Sequence, residues 1–435
     1  MSRLQIPFNI LDEGFTHGDD PTQPPTVQIE ARVAGSFDDR RLREAMAVAL
    51  GRHPLARARL EPWTDETMTY EWLVDDVPQV DPMCVLTAVT DADVDRIRSD
   101  LQSHPVSIFE SPPLRARLVH REGGDYLMLA IHHAASDGIG ALRLLQSVLR
   151  AYADVEDSQP RFDPIEIHQL PIPELEPSTT QLWHAARMTL ERFVRMGSFP
   201  EHLPPQDATA RAGYGVHSID LPIVPIVRAP LRAELGASVN DLLITAATLA
   251  CARWIEAHDA APDRVTIVMP INARPAEWRN EVVGNFVTAD VVSTSPEERN
   301  TAKECLASVA GWTDKVKRVG PGPALAALAA IPPGPVSGRR AVMQWVSRAG
   351  GQFADTTVLS NLGRVSHEWL STDQLEVTEL WFSPPATLPT GLGIGAVATT
   401  DRLFLSLRHS WRLWSSEATA QFADALVAAL DEICA

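Results

Sequence analysis

The chain has 435 residues, 45% hydrophobic and 22% charged, an ordinary globular composition that excludes a disordered chain. Its 38 basic against 56 acidic residues leave a net charge of −18. That sign excludes general nucleic-acid affinity, which needs a concentrated positive field.

Length allows about two to four domains. Apolar runs such as 242–252 stop short of the roughly eighteen residues needed to span a bilayer. The opening MSRLQIPFNILDEGF lacks the charged-then-apolar order of a secretion signal, so the expectation is a cytoplasmic protein with no membrane span. Cys84, Cys251, Cys305 and Cys434 lie far apart and form neither a zinc knuckle nor a disulfide framework.

Along the chain, PTVQIEARVAG alternates as a strand. FDDRRLREAMAVALGRHP places Leu42, Met46, Ala49 and Leu50 on one helical face, with Asp38 or Asp39 to cap it and Gly51 with Pro54 to end it. PPLRARLVHREGGDYLMLAIHHA reads as two antiparallel strands joined around Gly123-Gly124, and DGIGALRLLQSVLRAYA as a helix packed on a sheet. Two proline-rich stretches, 157–178 and 198–207, flank a helical segment with a basic face of Arg187, Arg192 and Arg195. Residues 157–215 therefore read as a connection between halves 1–156 and 216–435.

In the second half, Ser238 to Asp241 is a capping box for a largely apolar helix, and RVTIVMPIN is a short β-branched strand. The stretch 320–338 is Pro- and Gly-rich and reads as an excursion. GLGIGAVATTDRLFLSLRHSW reads as a hairpin, and SSEATAQFADALVAALDEIC as an amphipathic closing helix. Strands and helices mixed in both halves define a mixed α/β, α+β-like class. No Gly-rich phosphate loop follows a strand, which disfavours a doubly wound nucleotide-binding fold.

The most informative segment is His132-His133-Ala-Ala-Ser-Asp137-Gly138, where the strand 126–133 gives way to a helix. Both faces of that strand are apolar, so it is central and covered on both sides. Adjacent strand residues point to opposite faces, so only one of the two imidazoles enters a given cavity. An imidazole, with an unperturbed pKa of ~6.5, is suited to act there as a general base. A metal site is disfavoured because the two side chains diverge and no third ligand stands at a matching spacing. Buried packing histidines with a capping Asp137 are the competing reading.

This segment resembles the HHxxxDG motif of the condensation-domain-like acyltransferases. These include condensation domains of nonribosomal peptide synthetases, polyketide-associated and wax-ester-type acyltransferases and, more distantly, chloramphenicol acetyltransferase. GRHPLARARL at 51–60 is similar to the RHxxLR segment of that superfamily, and VVGNFVTADVV at 282–292 to its GxFVN segment. The resemblance implies two chloramphenicol-acetyltransferase-like halves forming a V-shaped pseudo-dimer around a central channel, with a monomer as the expected state. It implies His133 as the catalytic base, with His132, Asp137 and Gly138 in supporting roles. Asp137 is expected to pair with Arg274 of the second half, and Asn285 to lie near the channel. Ser360-Asn361-Leu-Gly363 reads as a polar turn that could also face it.

The implied reaction moves an acyl group from acyl-CoA or a carrier protein's phosphopantetheine arm to an alcohol, with no tightly bound cofactor. Formation of an amide, a repurposed epimerisation or cyclisation, and a non-catalytic carrier-binding role are the alternatives. The SxAQ-type and DFGWG segments of relatives are absent, as is a carrier-protein serine motif, so a stand-alone enzyme is expected, in natural-product or lipid biosynthesis. A phosphate-bearing donor approaching an acidic protein needs a local basic patch. Candidates are Arg187, Arg192 and Arg195; Lys315, Lys317 and Arg318; or Arg339 and Arg340.

Overall fold

Hydrophobic periodicity and turn chemistry produce most of the elements where the sequence places them. In this computed structural model, residues 4–18, 20–157, 163–168, 200–209, 211–275, 278, 281–321, 334–349, 355–366, 370–372 and 375–435 are described. The basic face of Arg187, Arg192 and Arg195 lies outside the described residues, as do most of the proline-rich connection and positions 322–333.

The first half runs β1 (Leu4–Pro7), α1 (Ile10–His17), β2 (Thr26–Val33), α2 (Asp39–Arg52), β3 (Ala58–Leu60) and β4 (Glu71–Val74). It continues with β5 (Met83–Thr87), α3 (Asp91–Ser103), β6 (Leu114–His120), β7 (Tyr126–His132) and α4 (Gly138–Tyr152). After α5 (Pro164–His168) come β8 (Tyr214–Pro222), α6 (Ile223–Val227), α7 (Pro230–Leu235), α8 (Val239–Ala257), β9 (Val265–Asn272) and β10 (Val287–Thr294). The chain closes with α9 (Ala302–Val319), α10 (Val336–Ala349), β11 (Thr357–Arg364), β12 (Val377–Ser383), β13 (Leu392–Ala398), β14 (Arg402–Ser410) and α11 (Ser416–Cys434).

The β6–β7 hairpin turns through Gly123 and Gly124, both at positive φ, where a glycine meets no side-chain penalty. Asp38, rather than Asp39, caps α2, and the helix runs through Gly51 to Arg52 because His53 is the first extended residue. Ser238 and Asp241 form the capping box of α8, a helix buried on nearly every side. The segment 360–363 is not a turn: it belongs to β11, whose partners are β9 and β13.

Among the described residues, three sheets result. A six-stranded sheet has the order β10-β9-β11-β13-β14-β8, a five-stranded one β12-β2-β7-β6-β5, and a small one β1-β4-β3. β7 is buried along its whole length, as its two apolar faces require. Helices α8 and α11 share one large apolar cluster with β9, β13 and β14, whereas α2 and α4 pack with β2 and β7 in another.

One connection crosses between the two halves. β12 leaves the second half and pairs antiparallel with β2, setting Leu380 opposite Ala31 and Phe382 opposite Ile29. Val377, Leu380 and Phe382 are consequently part of the first half's core. Where β12 passes β13, a Cβ at Gly395 would overlap the carbonyl oxygen of Phe382, so only glycine permits the approach.

Leu380→Ala leaves a cavity where that core is fully buried, and is expected to cost about 2–5 kcal/mol. Urea denaturation followed by circular dichroism measures it. A loss below about 0.5 kcal/mol would show that β12 is dispensable to the first sheet.

Candidate active site

The loop after β7 is built around Asp137. Its extended backbone makes it the N-cap of α4, and Oδ1 accepts the Gly140 amide at 2.9 Å. Arg274, from the segment after β9, meets it bidentately: Nη1 to Oδ2 at 2.6 Å and Nη2 to Oδ1 at 2.9 Å. The Phe286 amide donates to Oδ2 at 2.8 Å. Four donors therefore satisfy one buried carboxylate. Burial alone would push the Asp137 carboxyl up, but the Arg274 charge and these hydrogen bonds outweigh it and hold it below the ordinary carboxylate range.

The segment 282–286 contributes through its main chain. Arg274 Nη2 also donates to the carbonyls of Gly284 (2.9 Å) and Val282 (3.2 Å), and the Asp137 amide donates to Gly284 at 3.1 Å. The Arg274 guanidinium lies 4.7 Å from the centroid of the Phe286 ring. These carbonyls and the Phe286 amide were missed in sequence because a motif letter names a side chain.

His132 and His133 diverge, as strand geometry requires. His132 ends β7 fully buried, and its Nδ1 accepts the Ala134 amide at 3.2 Å. His133 instead lines a cavity of about 600 Å³. Its amide donates to the Pro25 carbonyl at 2.8 Å, and Nδ1 is its buried ring nitrogen. Burial pushes the His133 pKa down to about 4, against smaller upward effects of its own main-chain carbonyl and of Asp137. The imidazole is neutral at neutral pH.

Residues from both halves wall the cavity: Phe15 and Val27 from the first, Val268, Val287, Val358 and Leu392 from the second. Gly138 also lines it. A Cβ there would come within 2.7 Å of Leu362 and Phe382, so the start of α4 has no room for a side chain.

The other candidates separate. Ser360 lines the cavity. Asn361 does not, because its neighbouring position on β11 puts it on the opposite face; its amide donates to Asn240 at 3.2 Å on α8. Asn285 is fully buried and is not a lining residue. It sits ahead of β10, with its carbonyl held by the Asn9 side chain at 3.2 Å and its own Oδ1 3.5 Å from the Val287 amide. In the 51–60 segment, His53 contacts Ser147 Oγ at 2.8 Å and Arg57 donates to the Asp75 carbonyl at 2.9 Å, both packing roles. Phe15, which stacks on His133, carries no motif and was invisible in sequence.

Most of the described basic candidates are occupied locally. Lys317 lies 3.6 Å from Asp241, Arg318 3.0 Å from Asp314, and Arg339 2.5 Å from Glu13. Lys315 sits over Trp312, and Arg340 over Trp63 at 5.8 Å. Among the described residues, no group of three or more His, Cys, Asp or Glu side chains is arranged to hold a metal, and no single helix is long and apolar enough to cross a membrane.

The site thus combines a cavity lined from two mixed sheets with a histidine that lines it and a buried Asp–Arg pair on that histidine's loop. The Condensation domain family model matches residues 25–320, and the chain belongs to this family. It is 33% identical over 428 residues to the uncharacterized protein Rv2305 of Mycobacterium tuberculosis, spanning 95% of this chain and 96% of that one. The fold is shared with the first condensation domain of the calcium-dependent antibiotic synthetase in complex with a substrate analogue (TM-score 0.76, 12% identity, 100% and 97% of the two chains). It is also shared with the wax ester synthase/diacylglycerol acyltransferase from Marinobacter aquaeolei VT8 (TM-score 0.63, 16% identity, 98% of each chain).

Arg274→Ala would strand the Asp137 charge in the interior, with an expected loss of about 3–5 kcal/mol by chemical denaturation. Arg274→Lys keeps the charge without the planar fork and should recover only part of it. Equal stability of Arg274→Ala and wild type would remove the pair from its structural role.

Acid should destabilise the protein in a defined window. His53, His133 and His409 are held neutral by burial, with pKa values lowered to about 3, about 4 and about 4 from the ordinary 6.5. Below 6.5 the unfolded chain binds protons that the folded one refuses, so stability falls as pH drops from there towards 4. His133→Gln should flatten this dependence, measured as urea midpoints between about pH 7 and about pH 4.5. An unchanged slope would contradict the burial of a neutral His133.

Proposed function

We propose that this chain is an acyltransferase that moves an acyl group from a thioester to a hydroxyl acceptor, with His133 as general base. One observation carries the reading: a neutral imidazole, on a loop locked by the Asp137–Arg274 pair, opens into an apolar cavity shared by both halves. Such a base is useful because it is unprotonated at working pH and lies where reactants can be held together away from bulk water. Membership of the condensation-domain family supports acyl transfer.

The acceptor oxygen attacks the thioester carbonyl carbon while Nε2 of His133 takes its proton. Collapse of the tetrahedral intermediate breaks the carbon–sulfur bond, and the imidazolium returns the proton to the departing thiolate. The products are an ester and a free thiol, with His133 neutral again and no acyl-enzyme required. Desolvation pushes the buried thiol of Cys251 far above its ordinary range and that of Cys305 up to about 12, so neither is suited to act as a nucleophile. Ser360 is one of the hydroxyls lining the cavity and the one we assign to donate to the developing oxyanion. Asp137, already saturated with donors, keeps the loop in place rather than reacting.

The donor in this reading is acyl-CoA or an acyl group on a carrier protein's phosphopantetheine arm. Mass spectrometry of wild type and His133→Ala with a panel of acyl thioesters, alcohols and amines tests it. A drop of about 10²–10⁴-fold in ester formation is expected. Full activity of His133→Ala would sink the base assignment, and amide as the product would replace the hydroxyl acceptor.

A further inference from the structure

Phe15 lies face to face with the His133 imidazole, ring centroids 3.7 Å apart and planes 4° from parallel. The helix that carries it has little freedom to roll. Asn9 caps α1, accepting from the Leu11 and Asp12 amides at 2.9 Å each, and its own amide group donates to the Asn285 carbonyl. Asp12 accepts from Trp72 Nε1 at 3.0 Å and is hydrogen-bonded to His168 from α5. Glu13 takes the Arg339 guanidinium of α10 through two hydrogen bonds of 2.5 and 3.0 Å. These contacts tie α1 to the small sheet, to both chain halves and to α10, whose Met343 lines the cavity. Phe15 remains partly exposed on the cavity side.

His133 is anchored through its main chain rather than through its ring. Its main chain is anchored to Pro25, and Nδ1 is buried with no partner outside its own residue. Rotation about Cβ–Cγ must carry the ring through an orientation perpendicular to the present one. An aromatic ring at 3.7 Å stands in that path, and it also keeps water off one imidazole face.

We propose that Phe15 is a positioning residue for His133: its ring fixes the imidazole plane, so that one nitrogen, Nε2, is presented to the cavity. This rests on the reading of His133 as general base. The charged and titratable groups near the ring are His132 and Asp137 on its own loop, Arg274 bound to Asp137 and Asp355 on the cavity wall, and the helix carrying Phe15 also bears Asp12, Glu13 and His17. None of them forms a hydrogen bond to the ring among the described residues, so the stack is its nearest constraint. A leucine would fill similar space without imposing a plane, whereas tyrosine keeps the flat face.

The test uses the full chain with isotope-labelled histidine, His133→Gln assigning the signal. NMR reads the His133 tautomer and its titration midpoint, and kinetics read kcat and KM across pH. Phe15→Leu is expected to mix the two tautomers and raise the midpoint by about one unit, with kcat falling roughly tenfold at little-changed KM. Phe15→Tyr should restore all of these. Should Phe15→Leu not fold, Phe15→Met carries the same expectation. A wild-type tautomer, midpoint and kcat in the aliphatic variant would overturn the proposal, as would equal failure of Phe15→Tyr. If wild type transfers no acyl group, the base reading fails while the NMR arm still decides the stack.

Discussion

A carboxylate buried with four donors is the constraint on which the rest of the site depends. Asp137 cannot be ionised in the interior without Arg274, and Arg274 cannot sit there without Asp137 and the carbonyls of Val282 and Gly284. Because these groups come from distant parts of the chain, satisfying one charge brings α4, β9 and β10 together. The His133 loop inherits that geometry. A residue that does no chemistry in the proposed reaction thus determines where the reacting imidazole stands.

The sequence made this much legible because the relevant signals are local. Two imidazoles at a strand end must diverge, and a short acidic residue before an apolar helical run is a cap. The expected pairing of Asp137 with Arg274 came from family resemblance, and the structure places the two in contact. The hairpins, the capping box of α8 and the closing helix also follow from neighbouring residues.

What was missed is non-local or depends on phase. A polar run at 360–363 looks like a turn until β13 supplies a partner beside Ser360 and Asn361; strand alternation then sends Ser360 to the cavity and Asn361 to α8. Asn285 drew attention as a side chain, although its segment acts through carbonyls and an amide. Phe15 is one aromatic residue in an amphipathic helix, with nothing nearby to announce a ring opposite it. The pairing of β12 with β2 is hidden for the same reason: each strand looks complete on its own.

That crossing has a consequence for how the chain reaches its native state. β2 has β7 on one side early in synthesis, but the strand for its other side lies far ahead: Arg32 pairs with Glu379, 347 positions away. Until β12 emerges, a long buried-type strand has an open edge with unpaired amides and carbonyls, the feature that invites association with other chains. The first half therefore cannot finish its own sheet as an independent folding unit. Its vulnerable interval lasts until Val377–Ser383 has been made and can reach β2.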